Sequence, residues 1–333
     1  MLNSRALFPL DAEDATRRRQ YLKAMAFGAL SVGLAACDNK RVAALRVSCQ
    51  VWPGYEFLYL ARQLALFSDQ SIHLIDAPNA SSSIRALGAK ACEAAALTLD
   101  EVLTARDRGI PLTVVAVLDV SNGADVLLAR PQIKRLQDLK GHRVGVDQSA
   151  TGAVMLDAAL GVAKLPVGDL TLVPIPINDH EAAFVSGQVD ALVTFEPVKS
   201  KLLKTGAHVL FSSAQVPGRI LDTIAVRTNV LELYQDALKA LVASHFNARQ
   251  KWAENPAAHA EALARRMQLA PVELAEAYSE LELPDLQANR RLLTGNNPPL
   301  LATARQLGDI MVRSGLLRSQ PDLSFLIDGR FVS

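Results

Sequence analysis

The feature that most constrains the fold is a regular alternation of short apolar runs and helix-like runs, which begins at residue 45 and continues past residue 200. The first series has strand-like runs at Leu45–Val51, Ile72–Asp76, Ala94–Leu97 and Leu112–Leu118. Strands that alternate with helices pair in parallel, and the helices cover both faces of the sheet. This series therefore predicts an α/β unit.

A second series follows a polar break at residues 119–125 (DVSNGAD), and the strand-like run Ile220–Val226 then leads into a helical C-terminal part. The chain is predicted to leave the first unit, build the second and return. We therefore expect two lobes, with lobe 1 formed by residues 45–125 plus 226–333 and lobe 2 by residues 126–225. Ligands of such proteins bind beyond the carboxyl ends of strands and at lobe interfaces.

The charge and the motifs narrow the functional classes. The 35 basic and 34 acidic side chains nearly cancel, and no basic stripe with interleaved aromatic residues is present, so no nucleic-acid partner is expected. The sequence has no G-x-S-x-G elbow and no P-loop, and its six histidines are scattered. We expect no catalytic residues, no cofactor and no metal site.

Residues 16–37, TRRRQYLKAMAFGALSVGLAAC, predict an export signal. A basic cluster precedes an apolar run that is shorter than the roughly 20 residues needed to span a bilayer. Residues 1–36 are therefore interpreted as a signal peptide. The segment from Arg18 to Lys23 resembles the twin-arginine motif, so that route is favoured over general secretion.

The end of this segment resembles a bacterial lipobox, with Leu34, Ala35 and Ala36 preceding Cys37. By this resemblance Cys37 carries the lipid, residues 37–44 are a lipidated tether, and the protein is anchored to the membrane. Asp38 resembles a retention signal for the periplasmic face of the inner membrane. The alternative is an apolar cysteine that happens to end a signal.

Two further cysteines, Cys49 and Cys92, fall late in one predicted strand and early in another. A disulfide requires Cα atoms less than about 7 Å apart. Two free, buried thiols are therefore favoured over a disulfide.

Three stretches carry a family resemblance. They are VWPGYEFLYLARQLALF at 51–67, SNGADVLLARPQIKRLQDLKGHRVGVDQSATGA at 121–153 and EAAFVSGQVDALVTFEPVKSKLLKTGAHVLFSSAQVPG at 181–218. Over about residues 45–315 the chain resembles periplasmic substrate-binding proteins of the nitrate/sulfonate/taurine and thiamine-precursor class. The resemblance implies a monomer that captures a small solute and delivers it to the permease and ATPase of an ABC importer.

The fold implied by the resemblance is a two-lobed α/β fold of the type II periplasmic-binding-protein class. It has two parallel-rich sheets flanked by helices, a ligand cleft and a two-strand hinge near Val126–Ala129 and Ile220–Val226. Two alternatives remain open. A sensory module for a membrane receptor would share the fold. A related branch synthesises the thiamine pyrimidine and carries a Cys-rich iron-site motif, but the equivalent residues 193–197 contain no cysteine.

The loop after the first strand supplies three candidate ligand-binding residues, Trp52, Tyr55 and Glu56. In the family this loop lines the cleft, where aromatic rings stack on planar ligands or cap apolar ones. The alternative for Trp52 and Tyr55 is an aromatic pair that closes the core of a lobe. Glu56 either accepts hydrogen bonds from a ligand amine or caps the helix that begins there.

Loops before two other helices supply further candidates. Ser81 and Ser82 lie in a polar cluster that exceeds what plain capping needs, and Ser149 and Thr151 belong to QSATG at 148–152. Free N–H groups and hydroxyls at helix N-termini can hold an anion or a carbonyl oxygen. Simple N-capping is the alternative.

The remaining candidates lie near the predicted crossing between lobes, at Asp119, Ser121, Asn122, Glu196 and Asp222. Turn formation alone would select the Asn-Gly pair that follows Ser121, and isolated acidic residues are usually solvated. If Asp119, Glu196 and Asp222 meet, they form an acidic pocket. That pocket favours an amine-bearing or heteroaromatic ligand over a simple inorganic anion, and a sulfonate remains an alternative.

Overall fold

A computed structural model describes residues 42–333. The predicted signal peptide, residues 1–36, and the predicted lipidation site, Cys37, lie outside the described residues. Two β-sheets, each flanked by helices, form the architecture of the described part. No helix between residues 42 and 333 has the length and apolar character to cross a membrane.

The strands, in chain order, are β1 (Leu45–Cys49), β2 (Ile72–Asp76), β3 (Ala94–Thr98), β4 (Leu112–Ser121), β5 (Asp125–Ala129), β6 (Arg143–Val146), β7 (Thr171–Pro174), β8 (Ala191–Phe195), β9 (His208–Ser212), β10 (Leu221–Arg227) and β11 (Leu281–Glu282). The helices are α1 (Glu56–Gln63), α2 (Ala80–Gly88), α3 (Leu99–Asp107), α4 (Ala150–Ala163), α5 (His180–Val185), α6 (Val198–Leu203), α7 (Gln235–Glu254), α8 (Pro256–Met267), α9 (Pro271–Ser279), α10 (Leu286–Leu293) and α11 (Pro299–Arg313).

The first sheet has the order β11-β4-β10-β3-β1-β2. Its strands β1, β2 and β3 pair in parallel, as the alternating pattern predicts. The returning strand β10 lies between β3 and β4 and is antiparallel to both, so the sheet is mixed. A strand that comes back from the other lobe enters the sheet from the opposite end, which explains the reversed direction.

The second sheet has the order β7-β6-β8-β5-β9 and is also mixed, because β5 runs antiparallel to β8 and β9. Successive side chains of a strand point to opposite faces of the sheet. Accordingly, Leu127 and Ala129 join the apolar cluster on one face of this sheet, and Val126 and Leu128 join the cluster on the other. Helices cover both faces, which is why β5 is apolar from Val126 to Ala129.

The chain passes between the sheets twice, over residues 122–124 and residues 213–220. The two crossings are tied together, since Ser121 Oγ lies 2.8 Å from Ser213 Oγ and Gly123 N donates to Ser213 Oγ at 2.7 Å. Gly123 has φ +127°, a backbone conformation that L side chains rarely adopt. The crossings adjoin the strands at 126–129 and 220–226 that the resemblance implies as the hinge.

Most predicted elements are present with shifted ends. The strand predicted at Leu45–Val51 ends at Cys49, and the one predicted at Leu112–Leu118 extends to Ser121. The short strand β11 was not predicted, because a pair of residues gives no periodicity to read, and the helix α10 was not predicted either. Cys49 and Cys92 are free and buried, as predicted.

Candidate ligand-binding cleft

A narrow pocket with a cavity volume of about 20 Å³ lies between the two lobes. The lobes are named by their sheets, so Asp222 of β10 belongs to the first lobe and Asp125 of β5 to the second. The first lobe lines the pocket with Gln50, Trp52, Ala80, Thr98, Glu101 and Asp222. The second lobe lines it with Asp125, Asp147, Ser149, Thr151 and Phe195, and Ile220 comes from the returning crossing. The pocket therefore gathers strand ends and helix starts from both sheets, where open α/β sheets bind ligands.

Trp52 forms one wall of this pocket. Pro53 begins a short 3₁₀ turn over Pro53–Tyr55, which leads directly into α1. The indole Nε1 donates to both carboxylate oxygens of Asp119, at 3.1 Å each, and the ring meets Phe195 edge-to-face with centroids 5.8 Å apart. Because Phe195 belongs to the second lobe, the aromatic pair spans the cleft. Asp119 thus fixes the orientation of Trp52 and is buried behind it.

Tyr55 lies one layer deeper than Trp52. Its side chain is fully buried, and its hydroxyl donates to Asp222 Oδ1. It is not among the residues that line the pocket. The structure therefore brings Tyr55 to the site through Asp222, which does line the pocket.

Replacing Gly54 with alanine is expected to destabilise the protein by about 1–3 kcal/mol. A Cβ at residue 54 would lie 1.7 Å from Asp119 Oδ2 and 3.2 Å from Trp52 Nε1, so Asp119 would have to move. Denaturant unfolding followed by tryptophan fluorescence measures the loss. Gly161→Ala is the control, because no heavy atom lies within 4 Å of a Cβ there. Equal stability of the two variants would contradict the expectation.

Glu56 is held by an arginine of the same lobe. Its Oε1 accepts from Arg266 Nη1 at 2.6 Å, and only 1% of the residue is exposed. Arg266 also donates to Asp76 Oδ1 at 2.8 Å and lies over the ring of Tyr59. Burial raises the pKa of Glu56 to about 7, although the Arg266 guanidinium acts in the opposite direction. Glu56 does not line the pocket between the lobes.

The loop before α2 uses its polar groups largely within itself. Asn79 Oδ1 accepts from the backbone N–H of Ser82 and from Ser82 Oγ, both at 2.9 Å. Ser82 Oγ in turn accepts from Arg85 Nη2 at 2.8 Å. Ser81 is half-buried and lines a second pocket, to which Arg85 of the first lobe and Asp147 and Gln148 of the second also contribute.

The 148–152 loop reaches across the cleft. Ser149 Oγ caps α4 by accepting from Gly152 N at 3.1 Å. Thr151 Oγ1 donates to Asp100 Oδ2 at 3.0 Å and lies 3.0 Å from Thr98 Oγ1, and both partners belong to the first lobe. Thr151 therefore contacts the opposite lobe while it lines the pocket.

Of the other predicted residues, Asp222 lines the pocket, whereas Asp119, Ser121, Asn122 and Glu196 do not. Asp222 opposes Asp119 in the register of β10 and β4, so these two carboxylates are neighbours. Glu196 is fully buried, with Oε1 accepting from Ser200 Oγ at 3.0 Å, and does not line the interlobe pocket. Ser121 accepts from Asp125 N at 3.2 Å, and Asn122 is exposed.

Three carboxylates that sequence reasoning missed, Asp125, Glu101 and Asp147, complete the acidic lining. Asp125 begins β5, directly after the first crossing. Glu101 lies in the first turn of α3, where its Oε2 accepts from Thr98 N at 3.0 Å in a capping box. The T-x-x-E spacing at 98–101 was a readable signal for this contact. It does not reveal that the start of α3 faces the other lobe.

Burial dominates the electrostatics of this group. Burial raises the pKa of Asp125 and Asp119 to about 7 and that of Glu101 to about 8. It also raises the pKa of Asp222 well above its ordinary value, and the neighbouring Asp119 carboxylate adds to that rise. Among the described residues that line the pocket, none is a lysine or arginine. Near neutral pH these carboxyls therefore hold part of their protons in the free protein, and a cation that entered the pocket would favour their charged, hydrogen-bond-accepting forms.

Charged contacts between the lobes lie beside this pocket. The Lys199 ammonium of α6 pairs with Glu280 of the first lobe and donates to Gly123 O at 3.2 Å.

In residues 42–333 no group of three or more His, Cys, Asp or Glu side chains could hold a metal ion.

A sequence model of the NMT1/THI5-like family matches residues 52–259. The chain is 26% identical over 178 residues to the taurine-binding periplasmic protein of Escherichia coli K12, a match that covers 53% of this chain and 55% of that protein. The matched region thus spans about half the length of that curated relative.

Solved structures share the fold. The alkanesulfonate-binding protein SsuA from Xanthomonas axonopodis pv. citri, bound to MOPS, has a TM-score of 0.70 at 19% identity, covering 86% of this chain and 96% of that one. SsuA from Escherichia coli, an aliphatic sulphonate-binding protein, has a TM-score of 0.69 at 22% identity, covering 86% and 97%. The desulfurization enzyme DSZB has a TM-score of 0.61 at 16% identity, covering 86% and 97%. The two-lobed periplasmic-binding-protein fold predicted from the sequence is therefore confirmed.

Proposed function

Since the chain belongs to the NMT1/THI5-like family, we propose that it is the solute-binding component of an ABC importer, which captures a small organic solute between its lobes. The observation that carries the proposal is the pocket between Trp52 and the 148–152 loop, to which both lobes contribute. A ligand placed there contacts both lobes and so favours their closure. The periplasmic, taurine-binding relative supports the assignment.

The proposed cellular setting follows from the N-terminal sequence. Residues 1–36 direct export, with a preference for the twin-arginine route, and a lipid on Cys37 anchors the protein to the periplasmic face of the inner membrane. The anchored monomer then presents its solute to the permease and ATPase of the importer.

The proposed ligand is an amine-bearing or heteroaromatic solute. The pocket is lined by carboxylates, which accept N–H donors, and by the Trp52–Phe195 pair, which suits a planar or apolar group. A sulfonate is the second candidate, because relatives and matched structures are named for taurine and alkanesulfonates. Taurine carries both an amine and a sulfonate, so it belongs in the same screen.

Catalysis by a thiol is a weaker proposal than binding, although an enzyme shares the fold. Cys49 is completely buried, and that burial raises the pKa of its thiol to about 12. A reactive cysteine requires a thiolate that is at least partly accessible. We therefore assign Cys49 to the core of the first lobe.

Calorimetry of the purified protein against taurine, alkanesulfonates, nitrate, aminopyrimidines and flavins tests the proposed function. We expect one amine-bearing or heteroaromatic compound to bind. The absence of binding by every compound in the screen would contradict solute capture. Binding of nitrate or of an alkanesulfonate without an amine would support capture and overturn the assignment of the ligand class.

Trp52→Ala is expected to weaken binding of that compound at least tenfold, or about 1.4 kcal/mol. The substitution removes the wall that contacts Phe195 across the cleft. Calorimetry measures the change. Phe325→Ala is the control, because this aromatic residue is 79% exposed and lies outside the pocket. Full ligand affinity in the Trp52→Ala variant would show that the Trp52 ring does not contribute to ligand binding.

A further inference from the structure

We propose that the pocket contains a subsite for an organic ammonium group, held between Asp222 of the first lobe and Asp125 of the second. The inference rests on the proposed function and names the chemistry of its ligand: a protonated amine with N–H groups for two carboxylates. The ammonium would connect β10 to β5, and therefore one sheet to the other.

The first observation is a pair of carboxylate oxygens without a partner. Asp125 Oδ2 and Asp222 Oδ2 are buried and have no hydrogen-bond partner among the described residues. Only 3% of Asp125 and 2% of Asp222 are exposed, and both residues line the pocket. Burying an acceptor without a partner costs free energy. Two such oxygens in one pocket indicate that the partner comes with the ligand.

The second observation concerns the charges around these two residues. Glu101 and Asp147 line the same pocket, and Asp119 lies behind Asp222. Lys199 pairs with Glu280 and Arg266 pairs with Glu56. The charge of Arg249 acts on Asp119, but its guanidinium donates to the backbone carbonyls of Leu283 and Pro284. An anionic group placed beside Asp125 and Asp222 would oppose the ionisation of both carboxyls, whereas a cation would favour their ionised forms and neutralise them.

The third observation is the nature of the walls. The Trp52 and Phe195 rings flank the pocket, and a cation beside aromatic faces gains additional attraction. Carboxylates also bind metal ions, but in residues 42–333 no group of three or more potential ligand side chains has a suitable arrangement. An organic cation therefore fits these residues better than a metal ion.

Three two-carbon compounds test the subsite on the purified protein at low ionic strength. Ethanolamine has an amine and no sulfonate, isethionate has a sulfonate and no amine, and taurine has both. We expect calorimetry to detect ethanolamine or taurine, with isethionate at least tenfold weaker. Isethionate binding as tightly as taurine would overturn the ammonium subsite and leave solute capture by the cleft intact.

Asp125→Asn and Asp222→Asn are each expected to weaken binding of the amine at least tenfold. An amide keeps the shape of the side chain and removes the negative charge. Glu261→Gln is the matched control, because its side chain is 83% exposed on α8, away from the pocket. Unchanged amine affinity in both aspartate variants would overturn the proposal.

The melting temperature of the ligand-free protein also tests whether the Asp125 carboxylate lacks a partner within the fold. If Asp125 is kept charged and unpaired for a ligand, Asp125→Asn should raise the melting temperature of the free protein at pH 8 by at least about 3 °C. Glu261→Gln should leave it unchanged. A lower melting temperature of Asp125→Asn would show that the carboxylate has a structural partner and would overturn the subsite. Failure of every compound in the wider screen would instead contradict the proposed function.

Discussion

Raising the pH from 6.5 to 8.5 is expected to lower the free energy of unfolding of the ligand-free protein by about 2–4 kcal/mol. The cause is the group of buried carboxyls around the cleft. Burial raises the pKa of Glu101 to about 8 and that of Asp119, Asp125 and Glu196 to about 7, and it raises the pKa of Asp222 further.

The direction of this effect follows from proton binding. A carboxyl with a raised pKa in the folded state holds its proton at pH values where the unfolded chain, with a pKa near 4, has released it. Its contribution to stability is therefore complete below about pH 4 and is lost as the pH rises through the folded pKa. His180 and His245 act in the opposite direction, because burial lowers their pKa values, but only below about pH 6.5. The window from pH 6.5 to 8.5 separates the two effects.

Urea unfolding at several pH values within this window measures the loss. Asp125→Asn should reduce the slope, because an amide does not titrate. Glu261→Gln should reproduce the wild-type slope, since its carboxylate is exposed. A free energy of unfolding that stays constant or rises across the window would show that these carboxyls are not buried together in the folded protein.

Arg266→Met is expected to destabilise the protein by about 3–5 kcal/mol at pH 8, because it leaves a buried carboxylate without its cation. Glu56 is 1% exposed, its Oε1 is bonded to Arg266, and its Oε2 has no partner among the described residues. The loss should be smaller at pH 5, since burial raises the pKa of Glu56 to about 7 and a protonated carboxyl is cheaper to bury.

The double variant Glu56→Gln/Arg266→Met should recover most of this stability, because no buried charge remains. Arg265→Met is the control on the same helix, where the arginine is 74% exposed and pairs with exposed Glu261. That pair should contribute less than about 1 kcal/mol. Denaturant unfolding of the four proteins completes the comparison. An equal loss for Arg266→Met with either residue at position 56 would contradict the role of the pair.

The two expectations have a common physical origin. A cleft lined with Asp125, Glu101 and Asp222 is costly in the free protein, because no cation of the chain lies among the described residues that line it. Binding sites often retain such unfavourable groups, because the ligand compensates for them. Glu56 shows the contrast, since the fold itself supplies its partner.

The sequence was most informative about architecture. Period-two runs such as Ile72–Asp76 and the alternation of strands with helices depend on local patterns, which specify elements and their order. The same patterns also indicated two lobes, because the strand at 220–226 follows a second complete series of alternating strands and helices. The aromatic loop at 52–55 could be placed at a strand end, and strand ends converge in this class of fold.

What the sequence determined by itself is therefore most of the elements and their order, the two-lobe arrangement and the location of the Trp52 and 148–152 loops. Only the tertiary structure decided which polar groups meet. It separated Glu56 from the pocket through Arg266, 210 positions away in the chain. It also brought Asp125 to face the same pocket as Glu101 and Asp222. Such pairings depend on how elements that are distant in the sequence are arranged in space, and no local pattern of side chains encodes that geometry.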